Sequence, residues 1–125
     1  MAEGFLLDTN IAIYAMRGEP DVLRSRMSEC AEGSVFVSTI SLSEIAVGYG
    51  EGVMTAPDVQ ALLGQVGAVP FDARAAAVYG TLPFKRARFD RLIAAHALAL
   101  GLTLVTNDER DFADIPDLKL ENWTQ

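Results

Sequence analysis

Short apolar runs alternate along this chain with longer stretches that carry helix signals. The run at 34–38 is rich in β-branched and aromatic residues, another apolar run lies at 102–105, and the run at 4–7 shows continuous hydrophobicity and not the polar alternation of a half-exposed strand. Strands buried on both faces have this pattern, and they occur in parallel sheets covered by helices. The sequence therefore predicts an α/β fold with a central parallel sheet flanked by helices on both faces.

Helix starts and stops define the segments between these runs. Apolar residues recur at intervals of three and four, Gly and Pro end several stretches, and a further brief strand is predicted at 68–71. The final residues 118–123 are interpreted as a tail. The predicted helices cover residues 10–16, 21–31, 41–49, 58–66, 72–82 and 91–100.

Length and composition indicate one globular domain spanning residues 1–125. Half of the residues are hydrophobic and 22% are charged, which is typical of a compact protein. Cys30 is the single cysteine, so no internal disulfide can form. The N-terminus lacks the basic region of a signal peptide, and the apolar stretch 92–105 falls short of a membrane span. We expect a cytoplasmic protein with no membrane segment.

The charge balance is acidic, with 10 Lys and Arg against 17 Asp and Glu and a net charge of −7. This argues against purely electrostatic binding of nucleic acid. Four basic residues nevertheless cluster within seven positions. They form either a solvated turn or a patch that contacts RNA phosphates; they are Lys85, Arg86, Arg88 and Arg91.

Four dispersed carboxylates occupy the ends of predicted strands or positions near the start of predicted helices. Asp8 follows the first strand and Asp108 follows the strand at 102–105, while Glu44 and Asp90 lie in or at the start of helices. The carboxyl ends of parallel strands form one edge of a sheet, where such folds bind ligands. An all-oxygen cluster suits Mg²⁺ or Mn²⁺. The sequence therefore predicts that these acids converge on a divalent metal.

Local structural roles are open for three of these acids. Asp8 could cap the helix that follows it, and Asp90 could cap the helix at 91–100. Glu44 completes a Ser-x-x-Glu capping box that starts at Ser41, and spacing alone favours that role.

The fourth acid has rivals, and the lone histidine has a structural interpretation. Asp108 lies in an acidic loop in which Asp111 could replace it. His96 sits on an apolar helix and is expected to be a partly buried structural side chain, so zinc chemistry that depends on histidine has no support. Phosphate-binding Gly-rich loops and a Gly-x-Ser-x-Gly nucleophile motif do not occur in the sequence.

With these residues identified, the chain resembles PIN-domain ribonucleases, and more narrowly the VapC toxins of bacterial toxin–antitoxin pairs. The resemblance covers residues 5–123, and its segments occur in the family's order. Supporting pieces are PFD at 70–72 ahead of AAAVY at 75–79, and LENW at 120–123. The main segments are FLLDTN at 5–10, SLSEIAVG at 41–48, FDRLIAAHA at 89–97 and LVTNDERDF at 104–112.

The resemblance implies a site and a reaction. Its acidic quartet falls on Asp8, Glu44, Asp90 and Asp108, of which Asp8, Asp90 and Asp108 would be the metal ligands. Supporting roles fall on Thr9, Thr106 and Asn107. The implied activity is Mg²⁺- or Mn²⁺-dependent endonucleolytic cleavage of single-stranded RNA, leaving 5′-phosphate and 3′-hydroxyl ends.

The resemblance also implies partners. These are a small VapB-like antitoxin, whose Arg- or Lys-bearing tail would enter the acidic crevice, and a second copy of the chain in a homodimer. The short basic stretch 79–90 departs from many relatives, which place a Gly-containing connection there. Two alternatives share the acidic crevice: a housekeeping PIN nuclease that processes RNA, and a catalytically silent PIN-like module that binds a basic peptide.

Overall fold

Strands and helices alternate in the computed structural model, which describes residues 3–84 and 89–125. The predicted basic residues Lys85, Arg86 and Arg88 lie outside this described part. The strands are β1 (Phe5–Leu7), β2 (Val35–Ser38), β3 (Gly67–Val69), β4 (Thr103–Val105) and β5 (Leu120–Glu121), and the helices are α1 (Thr9–Arg17), α2 (Asp21–Glu29), α3 (Thr39–Tyr49), α4 (Pro57–Gln65), α5 (Ala73–Tyr79) and α6 (Phe89–Leu100).

The five strands form one sheet in the order β3-β2-β1-β4-β5, and every neighbouring pair is parallel. The chain leaves β1 toward β2 and β3 on one side, then returns to place β4 and β5 on the other. The strand order therefore reverses between β1 and β4, which opens a crevice beyond their carboxyl ends. The predicted parallel α/β architecture is confirmed.

Each face of the sheet packs against its own helices. Phe5 and Leu7 of β1 join a core cluster with residues of α1, α2, α3 and α4. Leu6, between them, joins a second cluster that contains residues of α6. Because neighbouring side chains of a strand point to opposite faces, both faces of β1 are buried, as its continuous hydrophobicity indicates.

Several element bounds differ from the sequence prediction, and two of these differences concern the start of α3 and the C-terminal residues. Helix α3 begins at Thr39, two residues earlier than predicted, because Ser38 is the N-cap and its Oγ accepts a hydrogen bond from Ile40 N–H at 3.0 Å. The predicted tail contains β5, which pairs with β4. Trp123 beyond it is buried, with its ring centroid 4.9 Å from that of Phe5. In the described part of the chain, no helix is long and apolar enough to cross a membrane.

Candidate active site

A cleft of about 320 Å³ opens at the reversal of strand order. It is bounded by the residues that follow β1 and β4, by the first turn of α6 and by one residue of α3. All four predicted acids line it. The lining side chains are Asp8, Thr9, Asn10, Glu44, Phe89, Asp90, Ile93, Thr106, Asn107, Asp108, Asp111 and Phe112.

Asp8 lies at the bottom of the cleft, with 7% of its surface exposed. Its Oδ1 accepts a hydrogen bond from Ile11 N–H at 2.9 Å, so it is the N-cap of α1 and also a cleft residue. Burial raises the pKa of the Asp8 carboxyl, and the negative charges of Asp90 and Glu44 raise it further, against lowering by hydrogen bonds from Thr106 and Ile11. The site therefore disfavours the negative charge that it holds.

Thr106, directly after β4, links two of the acids. Its buried hydroxyl group donates a hydrogen bond to Asp8, and Thr106 Oγ1 accepts one from Asp108 N–H at 3.1 Å. Its own N–H donates to Glu121 O of β5 at 3.0 Å. One hydroxyl group thus positions the residues that follow two adjacent strands.

Glu44 points into the cleft and does not act in a capping box. Its Oε1 accepts a hydrogen bond from Thr9 Oγ1 at 2.5 Å, and the Ser41 hydroxyl lies 3.0 Å from the same Thr9 oxygen. The capping interpretation is wrong because the helix starts after Ser38, which places Ser41 inside α3. Thr9, which directly follows Asp8, therefore links Glu44 of α3 to the first residue of α1.

Asp90 lies within the first turn of α6, since that helix begins at Phe89 and not at Arg91. It is half-buried, and its charge is close enough to Asp8 to raise the pKa of that carboxyl. At the opposite wall, Asp108 is exposed and Asp111 is half-buried on the 3₁₀ turn Glu109–Phe112. Both line the cleft, so the structure offers either as the fourth acid.

The donor set of the cleft fits a hard divalent cation. Carboxylate, hydroxyl and amide oxygens are the groups that Mg²⁺ and Mn²⁺ prefer, and a cation would relieve the repulsion on Asp8. Within residues 3–84 and 89–125, no three His, Cys, Asp or Glu side chains stand close enough together to hold a metal as they are. Mutual repulsion favours such separation, so a cation would have to draw the carboxylates inward.

Comparisons with known proteins assign the family. The sequence model of the PIN domain matches residues 5–118. The chain is 30% identical to the tRNA(fMet)-specific endonuclease VapC of Shigella flexneri, over 96% of this chain and 98% of that protein. It is 32% identical to ribonuclease VapC2 of Rickettsia felis, over 95% and 97% respectively. The chain belongs to the PIN-domain family of VapC ribonucleases.

Solved structures of VapC complexes share its fold. A chain of VapBC2 from Rickettsia felis, crystallised with a DNA fragment from their promoter, matches with a TM-score of 0.71 at 29% identity, covering 95% of this chain and 98% of that one. A chain of DNA-bound VapBC from Salmonella typhimurium matches with a TM-score of 0.76 at 26% identity, covering 97% and 98%. The cleft described above thus belongs to a PIN domain of VapC type.

The side chain of Arg91 is buried in this PIN domain and is not available to contact RNA phosphates. The prediction that Arg91 belongs to a phosphate-contact patch is therefore wrong. Arg91 is 2% exposed, and its Nη2 donates to both carboxylate oxygens of Asp114 at 2.7 and 2.9 Å. The physical reason is its place on α6, where successive residues are about 100° apart. Asp90 faces the cleft, and the next residue is turned into the protein.

His96 has the structural role expected from its apolar helix. It is buried, its Nδ1 lies 2.9 Å from Ser38 Oγ, and its ring packs edge-on against Phe71. Burial lowers the pKa of the imidazole, which opposes a smaller raising effect from Asp72 and a hydrogen bond to Pro70. A neutral ring therefore bridges α6 and the N-cap of α3, and His96 is not among the residues that line the cleft.

Sequence reasoning missed apolar residues of the PIN-domain cleft. Phe89 lies at its edge with 59% of its surface exposed, while Ile93 and Phe112 contribute buried walls. For Phe89, its position directly before Asp90 was the feature of the sequence that could have indicated a place at the cleft. Asn107, predicted as a supporting residue, does line the cleft, and its Nδ2 donates to Tyr14 Oη at 3.4 Å.

Proposed function

We propose that this chain is the toxin of a toxin–antitoxin pair, an endoribonuclease that cleaves single-stranded RNA with Mg²⁺ or Mn²⁺ as cofactor. The observation that carries the proposal is the buried Asp8, whose charge is disfavoured by two facing carboxylates in a cleft of a VapC-type fold. A site that concentrates unfavourable negative charge is suited to bind a cation.

In this proposal the three aspartates Asp8, Asp90 and Asp108 hold the cation, with Asp111 as the substitute for Asp108. When bound, Mg²⁺ or Mn²⁺ supplies positive charge that polarises the scissile phosphate and lowers the pKa of a coordinated water. Thr106 holds Asp8 in place through its hydroxyl group. Glu44, held by Thr9 at 2.5 Å, orients water at the edge of the site.

An acidic protein can act on RNA by this route because the cation offsets carboxylates that would otherwise repel phosphate. The basic residues Lys85, Arg86 and Arg88 would hold flanking phosphates. The exposed ring of Phe89 at the cleft edge is available to stack on an unpaired base.

The partner in this proposal is a VapB-like antitoxin. The structural relatives include VapBC complexes from Rickettsia felis and Salmonella typhimurium. An antitoxin tail bearing Arg or Lys would occupy the carboxylates of the cleft and inhibit cleavage, since the net charge of −7 favours a basic partner. We also propose a homodimer, on the resemblance alone.

Two other functions use the same cleft. A housekeeping PIN nuclease would share the acids and differ in its target RNA. A catalytically silent module would bind a basic peptide without a cation, and the absence of a preformed three-carboxylate cluster among the described residues is the observation in its favour.

Cleavage of a mixed RNA pool, which includes tRNA(fMet) because a relative is named for that substrate, tests the proposal. Wild type should cut in Mn²⁺ and not in EDTA, and Asp8→Asn should not cut. Asp21→Asn is the matched control, because Asp21 is a fully exposed acid on α2 outside the cleft. Asp108→Asn and Asp111→Asn identify the fourth acid. Equal products from wild type and Asp8→Asn would refute the proposal.

A further inference from the structure

The ion pair of Arg91 and Asp114 joins two elements that bound the cleft, helix α6 and the segment after β4. Arg91 follows Asp90 on α6, and Asp114 lies three residues after Asp111, just beyond the 3₁₀ turn Glu109–Phe112. The pair therefore connects the helix that carries one acid to the segment that carries two others, one of them Asp108.

Backbone hydrogen bonds close successive turns in that segment between Asp108 and the residues around Asp114. Asp111 N–H donates to Asp108 O at 3.3 Å, and the next turns close through Ala113 N–H to Arg110 O at 3.3 Å and through Ile115 N–H to Phe112 O at 3.1 Å. These turns overlap along the chain, so the position of Asp114 is tied through the backbone to those of Asp108 and Asp111.

Apolar packing holds the same segment against α6 but does not fix the orientation of the segment relative to the helix. Phe112 and Ile115 are buried in one core cluster with Ile93 and Ala97 of α6. Hydrophobic contact is non-directional, whereas a charged hydrogen bond to both oxygens of a carboxylate fixes orientation. The ion pair thus supplies the geometric restraint that the core contacts lack.

The burial and the incomplete hydrogen bonding of this ion pair indicate that it positions neighbouring residues and adds little to the free energy of folding. Arg91 is 2% exposed, and among the described residues its Nη1 is a buried nitrogen with no hydrogen-bond partner. Burying a guanidinium group incompletely satisfied is costly, and pairs of this kind are weak contributors to folding free energy. A hydrophobic residue would serve the core at least as well.

We propose that Arg91 is a positioning residue, which through Asp114 holds the loop of Asp108 and Asp111 at a set distance and angle from Asp90. This inference rests on the proposed function, since the cation would bind in the space between Asp90 and the loop of Asp108 and Asp111. Arg91 itself touches neither RNA nor cation.

The test replaces the pair without leaving a buried charge, in the double variant Arg91→Met/Asp114→Ala. Calorimetric Mn²⁺ titration and steady-state RNA cleavage are run well below the unfolding temperature. The expected result is a rise in the Mn²⁺ dissociation constant of up to about 10–100-fold, the loss found when a direct hydrogen-bond partner of a metal ligand is removed, because this pair acts on the ligands through the backbone. KM for RNA at saturating Mn²⁺ should stay unchanged, because the pair does not contact substrate.

A purely structural pair would lower the unfolding temperature and leave the Mn²⁺ affinity of the folded protein unchanged, and that result would overturn the inference. Arg91→Lys keeps the positive charge and serves as the second variant; it should show a smaller loss of Mn²⁺ affinity, and wild-type affinity in both variants contradicts positioning. If wild type neither binds Mn²⁺ nor cleaves RNA, the proposed function fails and the inference falls with it. If wild type cleaves RNA normally and both variants bind Mn²⁺ as tightly as wild type does, the inference is refuted while the proposed function stands.

Discussion

Replacing Asp8 by Asn and by Ala separates its role in the cleft from its role as a helix cap. The side chain is 7% exposed, and its Oδ1 caps α1 through Ile11 N–H. Because burial and two facing acids raise the pKa of this carboxyl above its usual 3.8, the ionised form is less favourable in the folded than in the unfolded protein. Ionised Asp8 therefore lowers the stability of the metal-free fold at neutral pH.

The two substitutions both remove the unfavourable charge but differ in whether they keep the helix cap. Asn removes the charge and keeps an oxygen that can accept from Ile11 N–H, so Asp8→Asn should be at least as stable as wild type. Ala removes the cap as well, and loss of an N-cap costs about 1 kcal/mol, within a range of roughly 0.5–2. For a domain of this size, the Ala variant should unfold about 3–6 °C below the Asn variant.

Thermal unfolding followed by circular dichroism in EDTA at neutral pH measures this difference, and RNA cleavage in Mn²⁺ is measured on the same preparations. Both variants should be inactive, and the Ala variant should unfold at a lower temperature than the Asn variant. An Asn variant that unfolds below wild type would refute the electrostatic argument, and one that unfolds at or below the temperature of the Ala variant would refute the capping argument. An Asn variant that cleaves RNA would refute the assignment of Asp8 to the reaction.

Three further predictions concern the RNA surface and the core. Lys85→Ala/Arg86→Ala should flatten the dependence of log K on log salt for single-stranded RNA by about 1.4, the contribution of two phosphate contacts, whereas Arg24→Ala on α2 should leave the slope unchanged. Phe89→Ala should raise KM for RNA by about 5–150-fold and Phe89→Tyr should restore it, if the ring stacks on a base at about 1–3 kcal/mol; an unchanged KM in the Ala variant excludes stacking. Burial lowers the pKa of His96 below 6.5, so the unfolded state binds the proton first and stability should fall as pH falls below 6.5; thermal unfolding of His96→Gln should lack this part of the pH dependence, and identical slopes would contradict it.

Local sequence patterns sufficed for the elements that build the sheet centre. Helices α1 and α6 pack on opposite sides of β1, so both faces of the strand are buried. Because of this burial, its sequence is continuously hydrophobic. β5 was not predicted, since its two residues are too few to show any period. Its place in the sheet comes from pairing with β4 across the chain.

The candidate site was predictable as a set of residues but not as a set of contacts. The partner of Glu44 is Thr9, 35 positions away, and local spacing favoured a capping box instead. Arg91 looked like part of a basic surface because it follows three basic residues, yet its partner Asp114 is 23 positions away and the side chain is buried. Contacts of this range depend on the assembled sheet, and one sequence carries no local signal for them.

Direct Mn²⁺ binding to the purified protein tests the central claim, that the cleft carboxylates hold the cation on which RNA cleavage depends. Calorimetric titration should show one or two ions bound by wild type and by Asp21→Asn, and none in the cleft of Asp8→Asn. Equal binding by wild type and Asp8→Asn would place the cation elsewhere. No binding by wild type would contradict the account and favour a silent module that docks a basic peptide.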